Sequence, residues 1–148
     1  MLDRYVSGEV RRISPEAPVP VLNVGDESRA AGGAANVALN AKALGGTVEC
    51  FGSFGNDEKG KELFALLSSS GVVVDAKCIV ESSATISKTR VMASNQQICR
   101  VDREEPPETY NPNLSELGEV IEQKAASADV VIVSDYGKGF VTNELVAL

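Results

Sequence analysis

The sequence contains no histidine. That absence excludes Ser-His-Asp and Cys-His constellations and removes the usual ligand of a zinc site. Cysteine is scarce. Cys50, Cys78 and Cys99 are widely spaced and odd in number. They offer neither a disulfide framework nor metal-ligand spacing, so they read as reduced core thiols and no metal ligand is assigned. Positive charge is in deficit, with 14 Lys and Arg against 21 Asp and Glu and a net charge of −7. That balance argues against nucleic acid or an anionic membrane as partner, while leaving room for a local basic pocket. No apolar run approaches the length of a membrane span and no signal peptide is visible, which implies a cytoplasmic setting. What remains is an ordinary mixture: 148 residues, 43% hydrophobic and 24% charged, enough for one domain with its own core.

The chain is organised around Arg29-Ala30-Ala31-Gly32-Gly33-Ala34-Ala35-Asn36-Val37-Ala38. Gly32 and Gly33 carry no Cβ and can take positive φ, so a ligand can approach their backbone closely. A helix that follows them points free N–H groups and its positive dipole end at that ligand. Asn36, one turn inside, adds an amide with donors and an acceptor. The set suits a hydroxyl-rich or phosphorylated small molecule. A tight strand-to-helix turn with an incidental Asn explains the same residues. A dinucleotide fingerprint needs Gly-x-Gly-x-x-Gly after a buried strand, a spacing that Gly32-Gly33 lacks.

Periodicity supplies the elements. Tyr5–Gly8 and Val19–Val24 read as short strands broken by Pro15, Pro18 and Pro20. A helix is expected over 34–44, with Val37, Ala41 and Leu44 on its buried face and Gly45-Gly46 as its stop. Thr47–Gly55 reads as a strand. A helix over 57–69 follows, capped by Asn56 or Asp57 and packed through Leu63, Phe64 and Leu67. Val72–Val80 reads as a further strand, and the alternation argues for a parallel sheet with covering helices. Thr85–Met92 and Gln97–Arg103 form a hairpin about Ser94-Asn95. Within it Lys88 and Arg90 share a face about 7 Å apart, two strand rises. Two such cations could hold a phosphate, or simply dress a solvated face. After an acidic, proline-marked linker at 104–108, a helix runs from Asn113 or Ser115 to about Ala126, with Leu114, Leu117, Ile121 and Ala125 as its stripe. The apolar run centred on Val130–Val133 reads as a strand buried on both faces. Asp135 then stands at a sheet edge where ligands bind, or serves as a turn acid. Lys138 lies between Gly137 and Gly139, before a last helix over 142–148.

The spacing from the glycine pair through Asn36, Gly45 and Gly55 resembles the N-terminal motif of the PfkB (ribokinase-like) carbohydrate kinases. Three further segments are similar to its heptose-7-phosphate kinase branch: Met1–Tyr5 with Arg12–Pro20, Thr89–Val91 through Asn95–Gln97, and Ser134–Gly139. They run from one end of the chain to the other. The resemblance implies an α/β fold, part of a ribokinase-like three-layer sandwich within one domain over 1–148. It implies a small β lid from about 4–30 and 84–104, of a kind that pairs subunits into a homodimer. It also implies a sugar-phosphate acceptor, with Asp3, Gly32, Gly33 and Asn36 orienting the sugar. Lys88 or Arg90 would grip the distal phosphate, and Asp135 and Lys138 would add contacts. Asp3, near the chain's start, reads equally as a frayed terminal charge. The reaction implied is phosphoryl transfer from ATP, with Mg2+, to the anomeric hydroxyl of a heptose 7-phosphate, toward ADP-heptose and lipopolysaccharide. Family members lead into Asp3 from a buried strand and carry their catalytic aspartate in a Gly-Ala-Gly-Asp motif. Nothing in 1–148 matches that motif, so no residue is named catalytic and these residues alone are expected to be inactive. The chain is expected to be the N-terminal half of such a kinase domain. Another PfkB kinase acting on ribose, fructose phosphate or a nucleoside, or a non-catalytic sugar-phosphate-binding module, stand as alternatives.

Overall fold

The computed structural model describes residues 1–148. The chain opens with two twelve-residue strands, β1 (Leu2–Ile13) and β2 (Pro20–Ala31), paired antiparallel. They are longer than the two short strands expected over 5–8 and 19–24. Pro15 and Pro18 fall in the connecting turn, and Pro20 begins a strand at the sheet's edge, where its missing N–H breaks no ladder. Helix α1 (Ala34–Ala43) closes with Gly45 at φ 96°, the Gly45 amide on the Lys42 carbonyl and the Gly46 amide on the Ala41 carbonyl. That left-handed stop is the one the glycine pair announced. The helix is rotated from expectation. Ala35 and Ala38 are its buried residues, Leu39 packs beside them, and Leu44 is 89% exposed. Small side chains let α1 come close to its neighbours, so the core takes the alanine face.

The strands expected over 47–55 and 72–80 each break in two. The pieces are β3 (Glu49–Cys50) and β4 (Phe54–Gly55), then α2 (Glu58–Ser69), then β5 (Val73–Val74) and β6 (Ile79–Val80). A 3-10 turn at Ala76–Cys78, capped by the Asp75 carboxylate on the Lys77 amide, interrupts the second run. Each half finds its match, β3 with β5 and β4 with β6, both parallel. Leu63 and Leu67 of α2 enter the core while Phe64 stays 39% exposed. The core joins them with Leu2, Ala31, Ala35, Ala38, Phe54, Val72 and Cys78. Burial pushes the Cys78 thiol up to about 11. Cys99, expected in the core, is exposed on the edge strand described next.

β7 (Ser87–Ala93) and β8 (Gln96–Arg103) turn about Ser94 and Asn95, at φ 47° and 71°. Both residues lie in the left-handed region that a two-residue hairpin requires. β7 pairs parallel with β1 from Leu2–Ser87 to Gly8–Ala93, so the two hairpins make one sheet in the order β2-β1-β7-β8. The chain then enters α3 (Leu114–Ser127), where Leu117 is buried, and ends near α4 (Asn143–Val146). Between these helices Val130–Val133 is not a strand. Val130 is 73% exposed and the next three residues 60% each. A strand exists only where another edge completes its hydrogen bonds, and none of the ladders in 1–148 includes this run.

Only 19 of 148 residues are buried, so polar clamps carry much of the order at the root of the four-stranded sheet. Asp57 caps α2 and gathers three donors: the Gly60 amide at 2.8 Å, the Thr85 amide at 3.1 Å and the Thr85 hydroxyl at 2.6 Å. Thr85, fully buried, also accepts the Gly55 amide at 3.0 Å. Beside it the Lys59 ammonium donates to the Ser87 hydroxyl at 2.7 Å. Across the root, the Tyr110 hydroxyl donates to the Ala84 carbonyl at 2.8 Å and accepts the Glu105 amide at 3.1 Å.

Burial pushes the Asp57 carboxyl up, but the Thr85 hydroxyl and the Gly60 and Thr85 amides outweigh it and hold it below its ordinary value. The stability this contributes is therefore complete above the ordinary carboxylate pKa and is lost as pH falls through the depressed one. Thr85→Val should cost about 1–3 kcal/mol in urea unfolding at pH 7, because it strands buried partners. The penalty for Asp57→Asn should shrink on acidification. A penalty independent of pH would contradict this account.

Candidate functional site

Side chains alternate along a strand, and the four-stranded sheet therefore has two unlike faces. Leu2, Val6, Val91, Cys99 and Val101 share one. Asp3, Tyr5, Ser7, Lys88, Arg90, Arg100 and Asp102 share the other, as the ladder registers require. The polar face meets the glycine pair at its root. Asp3 lies against Gly32 so closely that a Cβ there would stand 2.5 Å from the Asp3 Oδ2. Gly33, at φ 55°, opens α1 without a side-chain cap. The Met1 methyl and the Tyr136 ring border it. Asn36 follows on the exposed side of the first turn.

Asp3 Oδ1 accepts from Arg90 Nη1 at 2.9 Å, with both side chains largely buried. The Arg90 guanidinium also sits 5.3 Å from the centre of the Tyr5 ring. The hydrogen bond to Asp3 raises Arg90 further above its ordinary value. Lys88 donates to Asp102 Oδ2 at 2.8 Å, and Arg100 Nε donates to Asp102 Oδ1 at 2.9 Å. The bond from Lys88 leads, against some burial, in holding the Asp102 carboxyl below its usual range. Toward the hairpin tips the same face opens into a groove of about 440 Å³ lined by Tyr5, Ser7, Ser28, Met92, Ser94 and Asn95.

The structure thus brings together Asp3, Gly32, Gly33, Lys88 and Arg90, with Asn36 on the adjoining helix turn. The two cations are not free: each already has a carboxylate partner. Asp135 and Lys138 are engaged elsewhere. The Asp135 carboxylate folds back onto the Gly137 amide at 2.7 Å, and Lys138 pairs with Glu104 at 2.6 Å. From their segment the Tyr136 ring reaches Gly33. Tyr5, Arg100, Asp102 and Tyr136 are the residues that sequence reasoning missed. Which face of the sheet Arg100 and Asp102 occupy depends on a register the sequence does not display.

Residues 2–145 match the pfkB family carbohydrate kinase. The chain is 46% identical over 140 residues to a protein named Bifunctional protein HldE from Hydrogenovibrio crunogenus, covering 94% of this chain and 28% of that one. A protein of the same name from Pseudomonas aeruginosa is 44% identical over 149 residues, covering 100% of this chain and 30% of the relative. The chain spans less than a third of the length of these relatives. Among solved structures, a carbohydrate kinase from Agrobacterium tumefaciens matches with a TM-score of 0.64 at 21% identity, over 85% of this chain and 40% of that one. At that identity the likeness concerns the fold.

Gly32→Ala should drive the Asp3 carboxylate off Arg90, since the new methyl claims its space. The expected loss is about 1–3 kcal/mol of unfolding free energy. Asp3→Ser, which removes the obstacle, should make the same glycine substitution milder. An unchanged penalty in the double variant would show that the close approach is not what Gly32 serves.

Proposed function

The chain belongs to the pfkB family of carbohydrate kinases, and from that premise we propose that it is the acceptor-binding part of an ATP-dependent sugar-phosphate kinase. The acceptor is a heptose 7-phosphate, taken at its anomeric hydroxyl, on the way to ADP-heptose and lipopolysaccharide. The observation that carries this reading is the Asp3–Arg90 pair set against Gly32. One carboxylate able to accept from sugar hydroxyls and one guanidinium able to take a phosphate stand 2.9 Å apart beside an uncapped helix start.

Phosphoryl transfer needs an aligned acceptor, charge stabilisation and a base. The residues of this chain supply the first. Asp3 accepts from ring hydroxyls, Gly32 and Gly33 let the sugar reach the backbone, and Asn36 adds an amide. Arg90 and Lys88 hold the distal phosphate, and the sheet face excludes water from it. Asp135 and Lys138 are proposed as further sugar contacts, which requires each to leave its present partner, the Gly137 amide and Glu104. ATP supplies the phosphoryl group. No three His, Cys, Asp or Glu side chains converge on a position for Mg2+, so neither the metal nor the nucleotide is assigned to residues here. No catalytic base is assigned either, and these residues alone are expected not to turn over.

The setting we infer is the cytoplasm; no helix is long and apolar enough to cross a membrane. We also infer a homodimer through the lid. Its second face supports this, since Val24 and Val101 are 54% and 58% exposed beside Val6 and Val91.

Calorimetric titration should give heptose 7-phosphate at least a tenfold advantage over ribose, and Asp3→Asn should weaken the heptose by about tenfold or more, as for a charged hydrogen bond. Equal or absent binding would defeat the substrate assignment. Sedimentation should show a dimer that Val101→Glu converts to monomer.

A further inference from the structure

The β7–β8 hairpin holds one residue more than its turn requires. Outward from Ser94 and Asn95, Ala93 pairs with Gln96 and Met92 with Gln97, but Val91 pairs with Cys99. Ile98 is left without a partner. Continued without that bulge, the register would set Arg90 opposite Cys99 and Lys88 opposite Val101. Arg100 and Asp102 would then point to the apolar face. With it, Arg90 stands opposite Arg100 and Lys88 opposite Asp102.

Like charges directly opposite in a ladder repel. Here they are restrained from both sides. Asp3 holds Arg90 at 2.9 Å, and Asp102 holds the Arg100 Nε at 2.9 Å together with Lys88 at 2.8 Å. The terminal nitrogens of Arg100 have no hydrogen-bond partner in the protein, and the side chain is 50% exposed. Three cations and two carboxylates leave this patch positive on a chain whose net charge is −7. An anion placed between the two guanidiniums removes their repulsion and can be held by both forks.

We propose that Arg100 is the second jaw of a phosphate clamp whose first jaw is Arg90, and that the bulge at Ile98 exists to build it. The ligand class is a phosphate monoester carried on the acceptor sugar, so the proposal rests on the sugar-phosphate reading above. Asp3 and Asp102 hold the jaws in position when no phosphate is present. Arg100 is thereby a specificity-determining residue: it separates phosphorylated acceptors from free sugars.

The test is calorimetric titration of the full 148-residue chain with heptose 7-phosphate and with the unphosphorylated heptose. The unmodified chain should prefer the phosphorylated sugar. Arg100→Ala and Arg100→Gln should each lose tenfold or more for heptose 7-phosphate with no change for the free heptose. Arg100→Lys should recover part of the loss, because it restores charge without the fork. Circular dichroism confirms that each variant is folded; Arg100 lies on an exposed strand face, so its truncation is tolerated. Deletion of Ile98 removes the unpaired residue and keeps Arg90 opposite Arg100, so the preference should survive it. A preference that survives both Arg100→Ala and Arg100→Gln overturns the clamp alone. Equal loss for both sugars also overturns it, since that is not phosphate selectivity. No preference in the unmodified chain overturns the sugar-phosphate reading, and the clamp with it.

Discussion

The hydroxyl of Thr85 and the carboxylate of Asp57 fix where β7 of the four-stranded sheet begins. Thr85 is fully buried and bonds in two directions, to the cap of α2 and to the backbone of β4. Two residues on, Ser87 starts β7 with Lys59 on its hydroxyl. From there strand geometry dictates the rest. Lys88 and Arg90 follow on one face, β1 is aligned beside them, and Asp3 arrives opposite Lys88. The Tyr110 hydroxyl ties the returning chain to Ala84, one residue before the hub. Both ends of the β7–β8 hairpin are thus anchored to the body by buried polar groups. Such groups are costly to leave unpaired, which makes the anchorage specific in position.

Much of this was legible beforehand, and the reasons are local. Asp57 announced α2 because an acid before a periodic apolar run is a cap signal. Gly45-Gly46 announced the end of α1, and Ser94-Asn95 the hairpin, because both depend on positive φ. The glycine pair stood out by residue type and spacing and Asp3 only through the family resemblance; in the structure the Asp3 carboxylate lies against Gly32. What failed was non-local. The buried face of α1 was misplaced because alanine carries little hydrophobic signal, yet close packing selects it. Val130–Val133 looked buried because composition reports a preference, whereas a strand needs a partner edge. The lengths of β1 and β2 were underestimated because their polar face interrupts the apolar pattern. The partners of Lys88 and Arg90 were hidden by one unpaired residue on β8.

That residue illustrates how much chemistry depends on one position being left out of the ladder in a period-two element. The Val91–Cys99 step converts a pattern of cations opposite uncharged residues into one of facing guanidiniums and a lysine–aspartate pair. β1 and β2 carry comparable shifts at Ser7/Gly8 and Val10/Arg12. Bulges of this kind re-aim side chains and twist an edge away from casual pairing. The sheet keeps two distinct faces, one carrying the Asp3, Lys88, Arg90, Arg100 and Asp102 cluster, the other mixing valines with the Arg4–Glu27 ion pair.

The seam between β1 and β7 has a consequence for assembly. Asp3 and Arg90 lie 87 positions apart along the chain, and the parallel ladder that joins their strands pairs residues almost as distant, Leu2 with Ser87 and Gly8 with Ala93. The first hairpin can zip from its own turn, and so can the second, but neither creates the carboxylate–guanidinium contact. That contact needs the parallel ladder between β1 and β7 as well. Long-range closure of this sort is slow relative to hairpin and helix formation. The Asp3–Arg90 contact therefore depends on the slowest kind of closure in the molecule, the pairing of strands far apart in the chain.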